Sequence, residues 1–261
     1  MYELILDTVQ KKRGYTMQYQ TIGKGDPLVF IHGLGQTHNA WELQKDLADQ
    51  FQLFIPTLRG HGESLVTENL TLEYFAQDIL KMLDDNGIGS AHFCGLSLGG
   101  VIVQEICRQS PKRVRSMILA NTTSYVPNFA FDLAYQDRIK ILNQLSDEQY
   151  IIHTVFNILH MPTNKEMNEA FKTFHLNREA YIPSSRAIRG INYLPLLNTS
   201  TPIHIIASSD DKVTPYMYNA QVTKMWSRGA KMTVLNNTGH LSNIQKPGKF
   251  NQIVRDFVGV S

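Results

Sequence analysis

Apolar residues follow two rhythms along this chain. Leu28-Val29-Phe30-Ile31 is an unbroken apolar run, and Phe51-Gln52-Leu53-Phe54-Ile55 resembles it. Short runs of this kind mark strands buried on both faces. Ala91-His92-Phe93-Cys94 repeats the pattern, and further strands are predicted at Ser116 to Ala120, Ile203 to Ala207 and Met232 to Leu235. Helical spacing lies between them. Trp41, Leu43 and Leu47 mark one helix, and Leu72, Phe75, Ala76, Ile79 and Leu83 a second, with Thr71 as its N-cap and Gly87 beyond its end. Others are predicted near Tyr216 to Trp226 and Pro247 to Val258, the last buried through Phe250, Ile253, Val254 and Phe257.

Residues 2–22 read differently, as a β-hairpin: Tyr15, Met17 and Tyr19 alternate with Thr16, Gln18 and Gln20 after a Lys11-Lys12-Arg13-Gly14 turn. Strands alternating with helices predict an α/β fold, a mostly parallel sheet with helices on both faces and its active site at the carboxyl ends of the strands. Residues 125–195 interrupt the alternation with helical spacing and no convincing strand. The expected organisation is therefore one core domain, residues 1–124 and 196–261, with residues 125–195 inserted as a helical cap over the strand ends.

Composition narrows the partners. Twenty-five Lys and Arg against 23 Asp and Glu give a formal net charge of +2, without basic blocks, which argues against a nucleic-acid footprint or a polybasic membrane patch. The two cysteines, Cys94 and Cys107, lack metal-ligand spacing and read as small core residues. No metal site is expected. No segment approaches the length of a membrane span, and the expectation is a cytoplasmic protein acting on a small molecule.

The candidate chemistry starts at Gly95-Leu96-Ser97-Leu98-Gly99-Gly100, a glycine-flanked serine between a short apolar strand and the start of a helix. This is the pattern of a nucleophile elbow, in which a sharp strand-to-helix turn lifts Ser97 Oγ clear of the sheet and aims the first helical N–H groups at whatever it attacks. Cβ atoms at Gly95 and Gly99 would collide with the neighbouring strand and helix. A serine hydroxyl needs a base, and the base an orienting carboxylate, in the chain order serine, acid, histidine. Beyond residue 195, His204 lies inside an apolar strand, whereas His240 occupies the strand-end loop Asn236-Asn237-Thr238-Gly239-His240. The acid comes from Asp210 or Asp211. Asp211 is preferred because it stands four residues before Pro215 and adjacent side chains cannot both reach one imidazole; Asp210 then reads as a solvated loop residue, and the reversed roles are the alternative. The loop His32-Gly33-Leu34-Gly35 follows the first buried strand, so the backbone N–H groups of Leu34 and Leu98 are the expected oxyanion donors, with His32 bracing the loop.

His32 to Gly35, Arg59-Gly60-His61-Gly62-Glu63-Ser64, Gly95 to Gly100, Asp211 to Pro215 and Gly239-His240 occur in the order seen in α/β-hydrolase-fold proteins, and the likeness spans essentially the whole chain. Within that superfamily the chain most resembles small carboxylesterases and enol-lactonases with a compact helical cap. The resemblance implies an eight-stranded, mostly parallel sheet and a Ser97, Asp211, His240 triad. Thr57 departs from the pattern, standing where relatives commonly carry a structural aspartate, so different hydrogen bonding is expected in that loop. His61 reads as a second loop brace.

A serine at the elbow excludes the alkyl-enzyme chemistry of relatives that use aspartate there. The leading expectation is a cofactor-free serine esterase that hydrolyses a small to medium, largely apolar ester or lactone through an acyl-enzyme. The alternatives are a slow-turnover ligand receptor of the same fold, and a carbon–carbon bond hydrolase or perhydrolase using the same triad. Protein partners are left open by the sequence. Trp41, Phe129, Phe156 and Met161 are candidate pocket residues, alongside Phe131, Leu133, Ile158, Phe171 and Phe174.

Overall fold

The apolar runs become the strands of a single sheet. In the computed structural model, which describes residues 17–64 and 66–259, β1 (Gln18–Ile22), β2 (Asp26–Ile31), β3 (Phe51–Thr57), β4 (Ala91–Leu96), β5 (Val114–Ala120), β6 (Ile203–Ser208) and β7 (Lys231–Leu235) align in the order β1-β3-β2-β4-β5-β6-β7. Only β1 runs antiparallel, paired with β3 so that Gln20 lies opposite Ile55. Seven strands are thus present among the described residues where eight were expected. The other strand and the turn of the expected N-terminal hairpin lie outside the described residues.

Alternation along each strand divides the core in two, because successive side chains leave a strand on opposite faces. Val29, Ile31, Phe93, Met117 and Leu119 pack on one face with α1 (Leu72–Asp85), α2 (Leu98–Gln109) and α7 (Ala220–Trp226). Leu28, Phe30, Cys94, Ile118 and Ile206 pack on the other with a 3₁₀ segment, His38–Asp49, and the C-terminal α9 (Pro247–Val258). The inner strands β2 to β6 therefore bury both faces and show little polar alternation, whereas the edge strands β1 and β7 are partly exposed. Both cysteines are buried and free.

Three predicted helices differ in detail. The segment around Trp41 is 3₁₀ rather than α-helical and is kinked at Trp41 itself, where φ is −112° and ψ 16°. Thr71 precedes α1 without a side-chain capping bond. The helix expected from Tyr216 begins only at Ala220, because the amides of Tyr218 and Asn219 and the Asn219 side chain all bond the Pro215 carbonyl and close a separate turn first.

Between β5 and β6 run four helices, α3 (Asn128–Gln144), α4 (Asp147–Ile158), α5 (Asn164–Thr173) and α6 (Arg178–Arg186). Ser146 with Gln149 and Thr163 with Glu166 form capping boxes that start α4 and α5. An isolated bridge from Gln36 to Phe174 ties this insertion to the loop after β2, and another, Tyr125 to Asn192, joins the insertion's two ends. No helix among the described residues is long and apolar enough to cross a membrane.

Candidate active site

Ser97 sits at the junction of β4 and α2 with φ +54° and ψ −117°, a left-handed conformation that L-residues adopt only under constraint. Its N–H donates to the Ala120 carbonyl at 3.0 Å, and its carbonyl accepts from Thr122 Oγ1 at 2.5 Å and from the Gly100 amide at 3.0 Å. The constraint therefore comes from both sides of the turn. A Cβ at Gly95 would lie 2.3 Å from the Gly99 carbonyl oxygen, and one at Gly99 would lie 2.0 Å from that of Ile31. Close packing of β2, β4 and α2 requires glycine at both positions.

Asp211 and His240 come together from the loops after β6 and β7. His240 Nδ1 stands 2.8 Å from Asp211 Oδ2, and both residues are buried. Asp211 Oδ1 accepts from the amides of Val213 and Thr214 at 2.8 and 2.9 Å, and Oδ2 accepts from Thr214 Oγ1 at 2.7 Å and Asn121 Nδ2 at 3.0 Å. Burial alone would raise the carboxyl, but the charge and hydrogen bond of His240, joined by the Thr214 contacts, outweigh it and hold Asp211 well below the usual carboxylate range. Asp210 turns away: its Oδ2 accepts from Ser209 Oγ at 2.5 Å, and its Oδ1 lies 3.7 Å from His160 Nδ1.

The loop carrying Leu34 is braced from several directions. Gln36 Oε1 accepts from the Gly33 amide at 3.0 Å while its Nε2 donates to Thr173 Oγ1 at 3.0 Å. His32 Nε2 accepts from the Leu58 amide at 3.0 Å, and His61 Nδ1 meets the Arg59 carbonyl at 2.9 Å, so both imidazoles serve as loop braces. Burial pushes His61 down to about 4 and His32 well below its ordinary value. Thr57 Oγ1 accepts from the His38 amide at 3.0 Å and lies 2.8 Å from His38 Nδ1, so a hydroxyl–imidazole contact occupies the position expected to differ. Leu98 opens α2, and its N–H belongs to the first turn, which has no intrahelical acceptor.

A cavity of about 540 Å³ opens beside Ser97, with Leu34, Leu98, Val101 and Thr214 in its wall. Phe131 and Tyr135 of α3 and Ser184 of α6 also line it. Arg138 carries the only charge among the described lining residues, and the buried Ser184 hydroxyl has no hydrogen-bond partner among them. The other pocket expectations are corrected. Trp41 is fully buried, with its ring 4.7 Å from Phe30 and 6.0 Å from Phe250, and is core. Phe129, Phe156 and Met161 stand exposed on the insertion, outside the cavity wall. Helical spacing alone does not tell a face turned to a cavity from one turned to solvent. No cluster of three His, Cys, Asp or Glu among the described residues is placed to hold a metal ion.

Asn121, Thr122 and Thr214 were not singled out in the sequence. Their one signal is position, in the polar stretches that directly follow β5 and β6.

Residues 26–247 match the model of a family described as alpha/beta hydrolase fold. 3-oxoadipate enol-lactonase 1 of Acinetobacter baylyi is 30% identical over 266 residues, covering 99% of this chain and 98% of that protein. Two solved structures share the fold. A thermophilic esterase from Thermogutta terrifontis superposes with a TM-score of 0.85 at 17% identity over 98% of each chain. The enol-lactonase from Burkholderia xenovorans LB400 does so with a TM-score of 0.80 at 20% identity, over 94% of this chain and 96% of that one.

Proposed function

The chain belongs to the α/β hydrolase fold family, and from that premise we propose that it is a serine hydrolase cleaving a carboxylic ester or lactone through an acyl-enzyme, with residues 125–195 as the cap that shapes its pocket. The observation that carries this reading is the buried Asp211–His240 pair, 2.8 Å apart, whose bracing residue Thr214 lines the same cavity as Ser97. His240 takes the Ser97 proton as Oγ attacks the carbonyl carbon. The tetrahedral oxyanion is met by the backbone N–H groups of Leu34 and Leu98. His240 then protonates the leaving alkoxide, and the same imidazole removes a proton from the water that hydrolyses the acyl-enzyme. Asp211 fixes the imidazole tautomer and offsets its positive charge.

The cavity bears on the acyl group. Its wall is mostly apolar, and Arg138 with the unpartnered Ser184 hydroxyl favours an apolar substrate that carries one anionic group. The relative named 3-oxoadipate enol-lactonase 1 takes, by that name, a lactone of a dicarboxylic acid, which supports this choice.

The test is hydrolysis of p-nitrophenyl esters of increasing acyl length and of dicarboxylic half-esters, by folded wild type, Ser97→Ala and Arg138→Met. Turnover that falls at least about a thousandfold in Ser97→Ala is expected. A half-ester preference that Arg138→Met reduces is expected as well. Turnover surviving Ser97→Ala would overturn the mechanism, and an unchanged preference the anionic group.

A further inference from the structure

His240 is held from behind by the insertion. Its N–H donates to the Ile158 carbonyl at 2.6 Å, and a Cβ on neighbouring Gly239 would lie 2.5 Å from that carbonyl oxygen and 2.6 Å from the His160 amide nitrogen. The histidine loop and the segment following α4 are therefore in backbone-to-backbone contact. Gln245, buried at the end of α8 (Ser242–Gln245), bridges them. Its Oε1 accepts from the Gly239 amide at 2.8 Å and from the His160 amide at 3.1 Å, while Nε2 donates to the His160 carbonyl at 2.8 Å. One side chain thus satisfies three backbone groups, two on the part-buried segment that enters from the insertion and one, buried, immediately before His240.

The neighbouring loop meets the same segment. Asp210 donates its amide to the Thr238 carbonyl at 3.0 Å, and its carboxylate lies 3.7 Å from His160 Nδ1. The Gln245 side chain spends both ends of its amide on backbone groups of Gly239 and His160.

We propose that Gln245 is a positioning residue: by clamping Gly239 to residues 158–160 it fixes the His240 imidazole, and it makes the end of α4 part of the support for proton transfer. This rests on the reading of His240 as the general base. An imidazole must shuttle a proton between Ser97 and the leaving group without changing place. A tether of two peptide hydrogen bonds on one carbonyl oxygen limits the loop motion that would move it. Displacement of a reacting group by about 1 Å costs on the order of a hundredfold in rate.

The test compares Gln245→Met, which removes all three hydrogen bonds at similar length, with Gln245→Glu, which keeps the acceptor for the Gly239 and His160 amides. Measurements are made below the melting temperature of each variant. For Gln245→Met the expected result is a kcat roughly tenfold to a hundredfold lower with KM within about threefold, since the imidazole moves and the pocket does not. The low-field proton resonance of His240 Nδ1, read without turnover, should shift or broaden with it, and Gln245→Glu should recover most of the loss. A wild-type kcat and an unmoved resonance in folded Gln245→Met would overturn the proposal, as would a loss carried entirely by KM. Where Gln245→Met does not fold, Gln245→Asn, which keeps the amide but shortens its reach, takes its place with the same two outcomes. Turnover persisting in Ser97→Ala would count against the serine mechanism itself, whereas the resonance reports on the clamp alone.

Discussion

Asp210 and Asp211 are adjacent carboxylates in one loop, and their surroundings give them opposite fates. Asp211 receives two backbone amides, a hydroxyl, a side-chain amide and the imidazole. The two backbone amides on Oδ1 would accept an amide oxygen equally well, but the three groups on Oδ2 require an acceptor that an amide nitrogen is not. In Asp211→Asn the new NH₂ would face the Asn121 and Thr214 donors and leave His240 Nδ1 without an acceptor, which favours the wrong tautomer. Turnover of a p-nitrophenyl ester should fall about ten-thousandfold in a protein that still folds. Asp210→Asn changes only the contacts to Ser209 and His160 and should stay within about threefold of wild type. Near-normal turnover by Asp211→Asn would hand the role to Asp210. The choice between the two was legible from the spacing to Pro215 alone, but the reason for it was not. Asn121 reaches Asp211 across 90 residues of sequence, and such pairs exist only once β5 and β6 lie side by side.

At the scale of elements, the elbow is where the sequence and the packing state the same thing. Gly99 faces the Ile31 carbonyl oxygen so closely that a Cβ there would stand 2.0 Å away, against backbone that β2 cannot shift without breaking its pairing with β3 and β4. Gly99→Ala should therefore cost about 3 kcal/mol or more, the upper end for overpacking, and lower the denaturant midpoint without changing the slope of unfolding. A loss under about 0.5 kcal/mol would mean that α2 can slide along the sheet. The inner strands of this sheet were legible because both faces are buried and their residues form largely apolar runs. The insertion was less so. Phe131 faces the cavity while Phe129, two residues away, is exposed, and helical spacing does not say which side of α3 meets the core, the cavity or solvent. The Gln36–Thr173 and Gln245–His160 braces were equally hidden, since a glutamine's partner is set by tertiary geometry and leaves no periodic trace.

Across the whole molecule, buried neutral histidines set the response to acid. His61, 2% exposed, is pushed down to about 4 chiefly by burial, and its ring centroid stands 5.2 Å from that of His32, which burial also holds well below its ordinary value. His204 in β6 is likewise lowered to about 4 by burial. For each, the unfolded chain takes up a proton near the ordinary value of 6.5 while the folded chain does not. Their contribution is complete above that value, declines as pH falls from 6.5 toward 4, and is spent below it. Asp211 adds little in this window, because above its ordinary value of 3.8 the carboxyl is ionised in the folded and the unfolded chain alike. A fall from 6.5 to about 4 for His61 is worth on the order of 3 kcal/mol, or roughly 6–12 °C of melting temperature in a chain of this size. Thermal melts should thus be flat above pH 7 and fall steeply between about 6.5 and 4. His61→Gln keeps a donor within reach of the Arg59 carbonyl and cannot be protonated, so it should flatten that acid limb; an identical limb in the variant would shift the cause to other groups. Two of these histidines, His32 and His61, brace the loop that presents Leu34 to the cavity, since His32 takes the Leu58 amide and packs edge-on to His61.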